Sequence, residues 1–460
     1  MLKNFVSNSW YLNVYLDVKE SKLKASNHFK MYGERENRIP NSLFFLNSEG
    51  NSNFVVNLFI SALFSIISKT NSRQIRYFCY KVCTVLELNK IKRFSFELLS
   101  VTSWIGDGSK ECADLYNKFF SKYSTIGVLR GIKNASGNDY QPMILDIWSE
   151  GSIIKSVPVL YPFFVLQEYS LKVRPITRIH FQHIFDLEKL VAHILESFNS
   201  EFTYFIQDYY LFTTKLHLYD EKKSIRITLK EALHTSPNLK IDYEFVIRSI
   251  DSFICPSLSV YENYKKFIPE KKLKWMYPPE ASNLENYPVR IVSSKIRHNV
   301  LVIANMGHYK GSEILRMLVQ KSERLNLPYR FIHIGKNPIF SDSDFYENHY
   351  FLNRQDLIKF SQKLDVSFAF LPFQAEETYS FALSDIFLLN LPLVSTCVGS
   401  IPERCSSRTS TILLDSKTSI DGIIKSFDLM IQNIYRPMFL TNNLINNKRK
   451  RENLEFLSLI

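Results

Sequence analysis

From about residue 300 onward the chain alternates short apolar runs with longer amphipathic stretches. Residues 300–304 (Val-Leu-Val-Ile-Ala) form an uninterrupted apolar run, the pattern of a strand buried on both faces. Tyr329–Ile334, Val366–Leu371 and 391–396 read as further strands. Apolar positions at helical spacing predict helices over 312–325, 355–363 and 381–389. Strict strand–helix alternation predicts a doubly wound parallel sheet.

An earlier stretch follows the same grammar. Residues 96–101 predict a strand, Trp104-Ile-Gly106-Asp107-Gly108 a glycine-bearing turn, and 109–122 a helix. That order opens a Rossmann-like half, in which glycines admit a ligand close to the backbone and the helix start favours an anion. Further strands are predicted at 127–129, 143–146, 176–181 and 202–206. Another ends at 254–257, where Ser257 is placed to cap the next helix. Pro278-Pro279 mark a hinge. The expected organisation is therefore α/β: two Rossmann-like doubly wound domains facing a cleft, at 93–285 and 286–435. They are flanked by an accessory extension over 1–92 and a basic tail over 436–460.

Composition narrows the picture. The chain has 460 residues, too many for one ordinary core, with 45% hydrophobic and 22% charged residues, a globular balance. A net charge of +12 points to an anionic partner such as nucleotide phosphates or an anionic membrane surface. The basic run Lys448-Arg-Lys-Arg451 reads first as a solvated tail. No basic stripe interleaved with aromatics, zinc-ligand spacing or helix-turn-helix pattern supports a nucleic-acid partner. Six cysteines without a framework read as free thiols in a reducing compartment. No signal peptide is evident, and the most apolar stretch, 54–67, is too short to span a bilayer.

The candidate chemistry is concentrated late in the chain. Glu377 and Asp385 stand eight residues apart, with Thr378-Tyr379-Ser380 directly after the first and a helix starting near Ser380. Glu377 is expected at a strand's carboxyl end, where open α/β sheets bind ligands. The amides of Thr378, Tyr379 and Ser380 suit a pyrophosphate at a helix start. Asp385, about one and a half turns into the helix, could accept hydrogen bonds from ribose hydroxyls.

This block resembles the glutamate-seven-residues-glutamate motif of retaining glycosyltransferases of the GT-B fold, specifically glycosyltransferase family 4. Glu377-Thr-Tyr-Ser-Phe-Ala-Leu-Ser-Asp385, Asn390-Leu-Pro-Leu-Val394 and Val398-Gly399-Ser-Ile-Pro-Glu-Arg404 follow the family's order. Gly307-His-Tyr-Lys310-Gly311 is similar to its G-x-x-K-G loop. In the first half, His180-Phe-Gln-His183 resembles H-x-H-H and Gln207-Asp208-Tyr-Tyr210 resembles H-D-Y-Y. Asp251 to Ser257 resembles the stretch that ends the first domain.

The resemblance implies a nucleotide-sugar donor held by Gly307, Lys310, Gly335, Glu377, Thr378, Tyr379, Ser380 and Asp385. Lys310 would neutralise the departing diphosphate and Glu377 would order the sugar, with Asp208 also among the catalytic residues. Gly106, Asp107, Gly108, His180 and His183 would face the acceptor. No metal or other cofactor is expected; Asp342-Ser-Asp344 reads as a turn. The acceptor would be a saccharide, carried on a lipid in one version, during surface polysaccharide or O-antigen-type assembly. The expected location is cytoplasmic, extending to peripheral attachment at the inner face of the membrane. Two alternatives remain, a silent GT-B scaffold and a GT-B sugar-nucleotide epimerase. Against the family pattern, this chain has Asp385 for glutamate, Asn390 for glycine, Asn305 for arginine and Gln207 for histidine.

Overall fold

The computed structural model describes residues 84–103, 107–131, 143–159, 161–279, 297–336, 338–350, 354–406, 408 and 410–434. Most of the expected extension, the tail over 436–460, the apolar stretch 54–67, Cys79, Cys83, Gly106 and the linker after Pro279 lie outside these residues. The described residues fall into two compact units. One runs to Phe205 and includes Glu244–Ser252; the other comprises Ile206–Tyr243 and the chain from Phe253 onward.

The first unit contains β1 (Leu98–Thr102), α1 (Asp107–Phe120), β2 (Ile126–Arg130), β3 (Met143–Ser149) and β4 (Ser152–Val159). It continues through α2 (Pro162–Lys172), β5 (Arg178–His183), α3 (Glu188–Ser197) and β6 (Glu201–Phe205). Its strands lie in the order β6-β5-β1-β2-β3-β4. β6, β5, β1 and β2 are parallel, whereas β3 and β4 are antiparallel additions at one edge. The β3–β4 turn places both Glu150 and Gly151 at positive φ, 52° and 77°, as a tight two-residue hairpin requires. That turn was not anticipated, because Glu-Gly is a weaker hairpin signal than Asn-Gly. Under α1, Tyr116 and Phe120 pack on Phe205 at ring distances of 4.4 and 6.1 Å.

The second unit begins with a polar insert. It holds the short hairpin strands β7 (Tyr219–Asp220) and β8 (Ile225–Arg226) and the helix α4 (Leu229–Thr235). α4 opens with a capping box in which Thr228 and Glu231 satisfy one another's backbone amides. After α5 (Tyr243–Ser249), nearly all of which belongs to the first unit, β9 (Ser252–Cys255) pairs in parallel with β10 (Leu273–Trp275). Between them Ser257 caps α6 (Leu258–Tyr264) by accepting from the Val260 amide, as its sequence position implied.

The remainder forms a six-stranded parallel sheet. In chain order its elements are β11 (His298–Ile303), α7 (Ser312–Arg324), β12 (Tyr329–Ile334), β13 (Tyr346–His349), α8 (Arg354–Lys363) and β14 (Val366–Leu371). Then come α9 (Phe381–Leu388), β15 (Leu393–Thr396), α10 (Ile401–Cys405), β16 (Thr411–Leu414) and α11 (Ile420–Ile434). The order β13-β12-β11-β14-β15-β16 places the sheet's first strand in chain order beside its fourth, the doubly wound Rossmann arrangement. β14 is buried along its whole length. Phe427 of α11 packs against Phe331, Phe368 and Phe370 at ring distances of 6.3, 5.1 and 5.0 Å. Truncating such a ring costs about 3–5 kcal/mol. The expected strand at 391 starts instead at Leu393, because Asn390 adopts φ 51° and closes α9 in the left-handed turn foreseen for it.

Candidate functional site

The strand order reverses between β11 and β14, and doubly wound sheets bind ligands at that reversal, beyond the carboxyl ends of the strands. The segments leaving those two strands carry the sequence-predicted donor residues except Gly335, which follows β12. After β11, residues 308–310 make one 3-10 turn and Gly311 takes φ 83° before α7 starts. A Cβ at Gly311 would lie 2.1 Å from the Pro372 carbonyl oxygen, so glycine is required for this turn to sit against the end of β14. The Tyr309 carbonyl then accepts hydrogen bonds from the amides of Gln374 and Ala375, at 2.9 and 3.2 Å. These main-chain hydrogen bonds fasten the two segments.

Within this frame Lys310 Nζ meets Glu377 Oε1 at 2.5 Å, with the two side chains 20% and 7% exposed. The ammonium also lies 4.4 Å from the centre of the Phe373 ring, a cation–π contact that holds it on that side. Two residues sixty-seven apart in sequence thus form one polar centre. Removing either partner of a largely buried pair leaves an uncompensated charge, worth about 3–5 kcal/mol.

A third segment secures Glu377 from behind. Gly399, at φ 52°, would bring a Cβ within 2.2 Å of the Glu377 carbonyl oxygen, and the Ser400 amide donates to that oxygen at 2.8 Å. Beyond Glu377 the backbone is strained: Ser380 sits at φ 70°, yet caps α9 by accepting from the Leu383 amide. A non-glycine residue in that conformation costs about 1–2 kcal/mol. Arg404 holds it there, donating to the carbonyls of Tyr379 and Ser380 at 2.7 and 2.8 Å and to Ser384 Oγ at 2.8 Å. Its guanidinium also lies over the Tyr379 ring at 3.9 Å. Ser400 Oγ donates to the same Tyr379 carbonyl. Neighbouring Glu403 faces elsewhere, accepting from the amides of Leu258 and Ser259, both at 2.9 Å, at the start of α6. Burial pushes its carboxyl above the ordinary range, against the pull of those amides and of Tyr277.

The insert supplies the rest. Thr378 Oγ1 donates to the Gln207 carbonyl at 2.8 Å, and the Glu376 amide donates to the His217 carbonyl at 3.1 Å. The imidazole of His217 stacks on Tyr309, with centroids 4.6 Å apart and planes within 13°. Burial, then the positive charge of Lys310, hold this histidine below its ordinary value. Arg226 pairs with Glu376 at 3.3 Å, and burial raises the Glu376 carboxyl despite that partner.

Asp208 folds into a turn, its carboxylate accepting from the Tyr210 amide at 2.9 Å and its carbonyl from Tyr264. Asp385 lies inside α9 and is buried, 5% exposed. Gly335 follows β12 and donates its N–H to the His349 carbonyl. Gly307 accepts from the amides of Lys310 and Ser312. The turn expected at Asp342-Ser-Asp344 is built from Ser343, whose hydroxyl accepts from the amides of Phe345 and Tyr346.

The sequence reading had no signal for His217 or Arg226, which lie in an insert without a motif. Glu376 stood just before a quoted motif and Arg404 inside one, yet side-chain patterns do not reveal that Arg404 clamps two carbonyls.

The acceptor-side residues belong to the first unit. His180 is buried beneath α1 between Phe120 and Phe205, at ring distances of 4.9 and 5.2 Å. His183 Nδ1 lies 2.7 Å from Ser103 Oγ at the ends of β5 and β1. Asp107 and Gly108 open α1. Among the described residues no three His, Cys, Asp or Glu side chains cluster as a cation site, and no helix is long and apolar enough to cross a membrane.

No family model and no curated protein matches this chain by sequence. Solved structures do match by shape. HepE of Anabaena, crystallised with UDP and glucose, superposes with a TM-score of 0.52 at 12% identity, covering 79% of this chain and 99% of HepE. Sucrose-phosphate synthase of Thermosynechococcus elongatus gives 0.56 at 11% identity, with 79% and 98% covered. The fold is therefore that of the GT-B glycosyltransferases, with two Rossmann-like domains.

Proposed function

We propose that this chain is a glycosyltransferase, similar to family 4, that moves a sugar from a nucleotide-sugar donor to a saccharide acceptor with retention. The observation that carries the reading is the Lys310–Glu377 pair, set where the strand order reverses and braced by Gly311, Gly399 and Arg404. Complexes of HepE with UDP and with UDP-glucose lend it support, since that protein shares the fold.

Breaking the bond between an anomeric carbon and a nucleoside diphosphate develops negative charge on the departing phosphates. A preorganised cation and backbone dipoles stabilise that charge, usually the largest single catalytic term. Lys310 is the cation, and the loop from Glu377 to Ser380 brings amides to the start of α9. Glu377 is left to accept hydrogen bonds from donor sugar hydroxyls once Lys310 turns to phosphate. With Lys310 neutralising the leaving group, the step needs no metal. Asp385 is assigned to the ribose. The basic surface, +12 overall, suits an acceptor carried on an anionic membrane, in surface polysaccharide assembly.

A thermal-shift panel of UDP-, GDP- and dTDP-sugars tests the reading. At least one donor should raise the melting temperature, because a ligand that binds only the folded state stabilises it. Silence across the panel refutes donor binding. Turnover of a donor without any acceptor would instead identify an epimerase.

A further inference from the structure

The family pattern that this chain resembles carries a histidine where Gln207 stands, so a titratable group is missing from that position. The structure returns one from ten residues further along. His217 enters beside Lys310 on the insert that precedes α4, fixed by its own carbonyl to the Glu376 amide and by its ring to Tyr309. Tyr309 belongs to the same 3-10 turn as Lys310. Neither ring nitrogen of His217 has a hydrogen-bond partner among the described residues. A flat imidazole held by stacking, with both nitrogens uncommitted next to a cation, is poised for an incoming acceptor atom.

We propose that His217 binds the diphosphate of the nucleotide substrate, donating an N–H to a phosphate oxygen beside Lys310 and taking up a proton from solvent as it does so. This rests on the nucleotide-sugar reading above and adds a residue to it. The charges that act on the ring are Lys310 in its own neighbourhood, Glu377 and Asp208 from the flanking loops, and Glu221 from the β7–β8 hairpin. Glu376 is tied to Arg226. Burial and Lys310 favour the neutral imidazole, and Glu377 is already paired with Lys310. An arriving diphosphate supplies negative charge that Lys310 alone does not balance, so the second proton of the imidazole becomes favourable. The proton comes from buffer, and no covalent bond changes.

Calorimetric titration of UDP, GDP and dTDP into the full chain at about pH 7, in buffers of differing ionisation enthalpy, reads the proton directly. Binding of the cognate nucleotide should be accompanied by uptake of a measurable fraction of a proton, and should tighten as the pH is lowered towards 6. His217→Phe keeps the stack on Tyr309 but has no nitrogen; it should abolish the uptake and weaken binding about tenfold. His217→Gln keeps a neutral donor and should recover part of the affinity without the uptake. Unchanged melting temperatures establish that both variants fold. Equal proton uptake in wild type and His217→Phe, or equal affinity, overturns the proposal. Failure of the wild type to bind any of the three nucleotides removes the nucleotide reading itself, and this inference with it.

Discussion

The two units differ in how their charges are tied. In the second unit the charges at the strand ends are paired and cross-tied: Lys310 with Glu377, Arg226 with Glu376, Arg404 with three oxygens. In the first unit Asp146 is likewise paired, with Arg130 at 2.8 Å and Ser156 at 2.5 Å. Side-chain amides buried without a hydrogen-bond partner among the described residues occur in both units: Asn117 on α1 and Gln182 on β5 in the first, Gln207 in the second. A cross-tied charge fixes geometry, which is what chemistry at a diphosphate needs. An unpaired buried amide fixes nothing and costs about 1–3 kcal/mol. The tied charges at Lys310 and Glu377 are where we place the proposed centre.

The sharpest way to break that contrast is at the charge pair. Glu377→Ala should lower transfer by about two to three orders of magnitude, comparable to losing one preorganised transition-state contact, and should free Lys310. Lys310→Ala should act on donor affinity as well as rate. Steady-state kinetics with the donor found in the thermal panel measure both. An active Glu377→Ala would reassign the centre and leave a binding protein as the better description.

Next in size are the two glycines that let the segments approach. Gly311→Ala and Gly399→Ala would each thrust a Cβ to within 2.1 and 2.2 Å of backbone oxygen, at positive φ. Each should destabilise the chain by at least about 2 kcal/mol, read as a lower denaturant midpoint, and should weaken donor binding. Wild-type stability in both would mean that the loops separate freely. Arg404→Lys follows: it keeps the charge but loses the planar fork that reaches two carbonyls at once. Ser380 then relaxes from φ 70°, and donor affinity should fall about tenfold with little change in folding.

How much of this was readable beforehand depends on what kind of contact is asked about. The alternating apolar runs from 300 to 396 were enough for the parallel sheet, because strands buried on both faces carry little else. Residue type and spacing singled out Glu377, Lys310 and Ser380, but the pairing of the first two across sixty-seven residues is visible only in the structure. The antiparallel hairpin β3–β4 was not, since strand direction is set by a two-residue turn with an uncommon composition. Nor was His217, whose relevance comes from stacking on Tyr309, ninety-two residues away. Arg404 lay in between: the sequence displayed it, but its partners are carbonyl oxygens, which every residue has.

A milder test uses acid. Burial holds His217 and His333 below the ordinary histidine value, His217 also through Lys310, while a hydrogen bond to the Ala304 carbonyl partly offsets burial at His333. The unfolded chain takes up these protons near the ordinary histidine value of 6.5, but the folded chain resists. Stability is therefore complete above that pH and declines as the pH falls below it. Denaturant midpoints from about pH 7.5 to 5 should follow that slope, and His217→Gln should flatten part of it. An unchanged slope would mean that His217 is protonated as easily folded as unfolded.

The smallest effect belongs to the first unit, and it is the one that most directly probes the contrast. Gln182 stands in the His180-Phe-Gln-His183 segment, where the resemblance suggested polar groups turned towards an acceptor, yet it is 0% exposed. Both of its amide atoms lie against protein without a partner among the described residues. Leucine is of similar size and needs no hydrogen bond, so Gln182→Leu removes a desolvation cost without opening a large cavity. The expected outcome is a stability gain of about 1 kcal/mol, a rise of one to a few degrees in melting temperature, and donor affinity equal to wild type. A loss of several degrees would mean that the amide is satisfied after all. A loss of donor affinity at constant stability would mean that the segment shapes the nucleotide site, and the division of labour between the units would have to be redrawn.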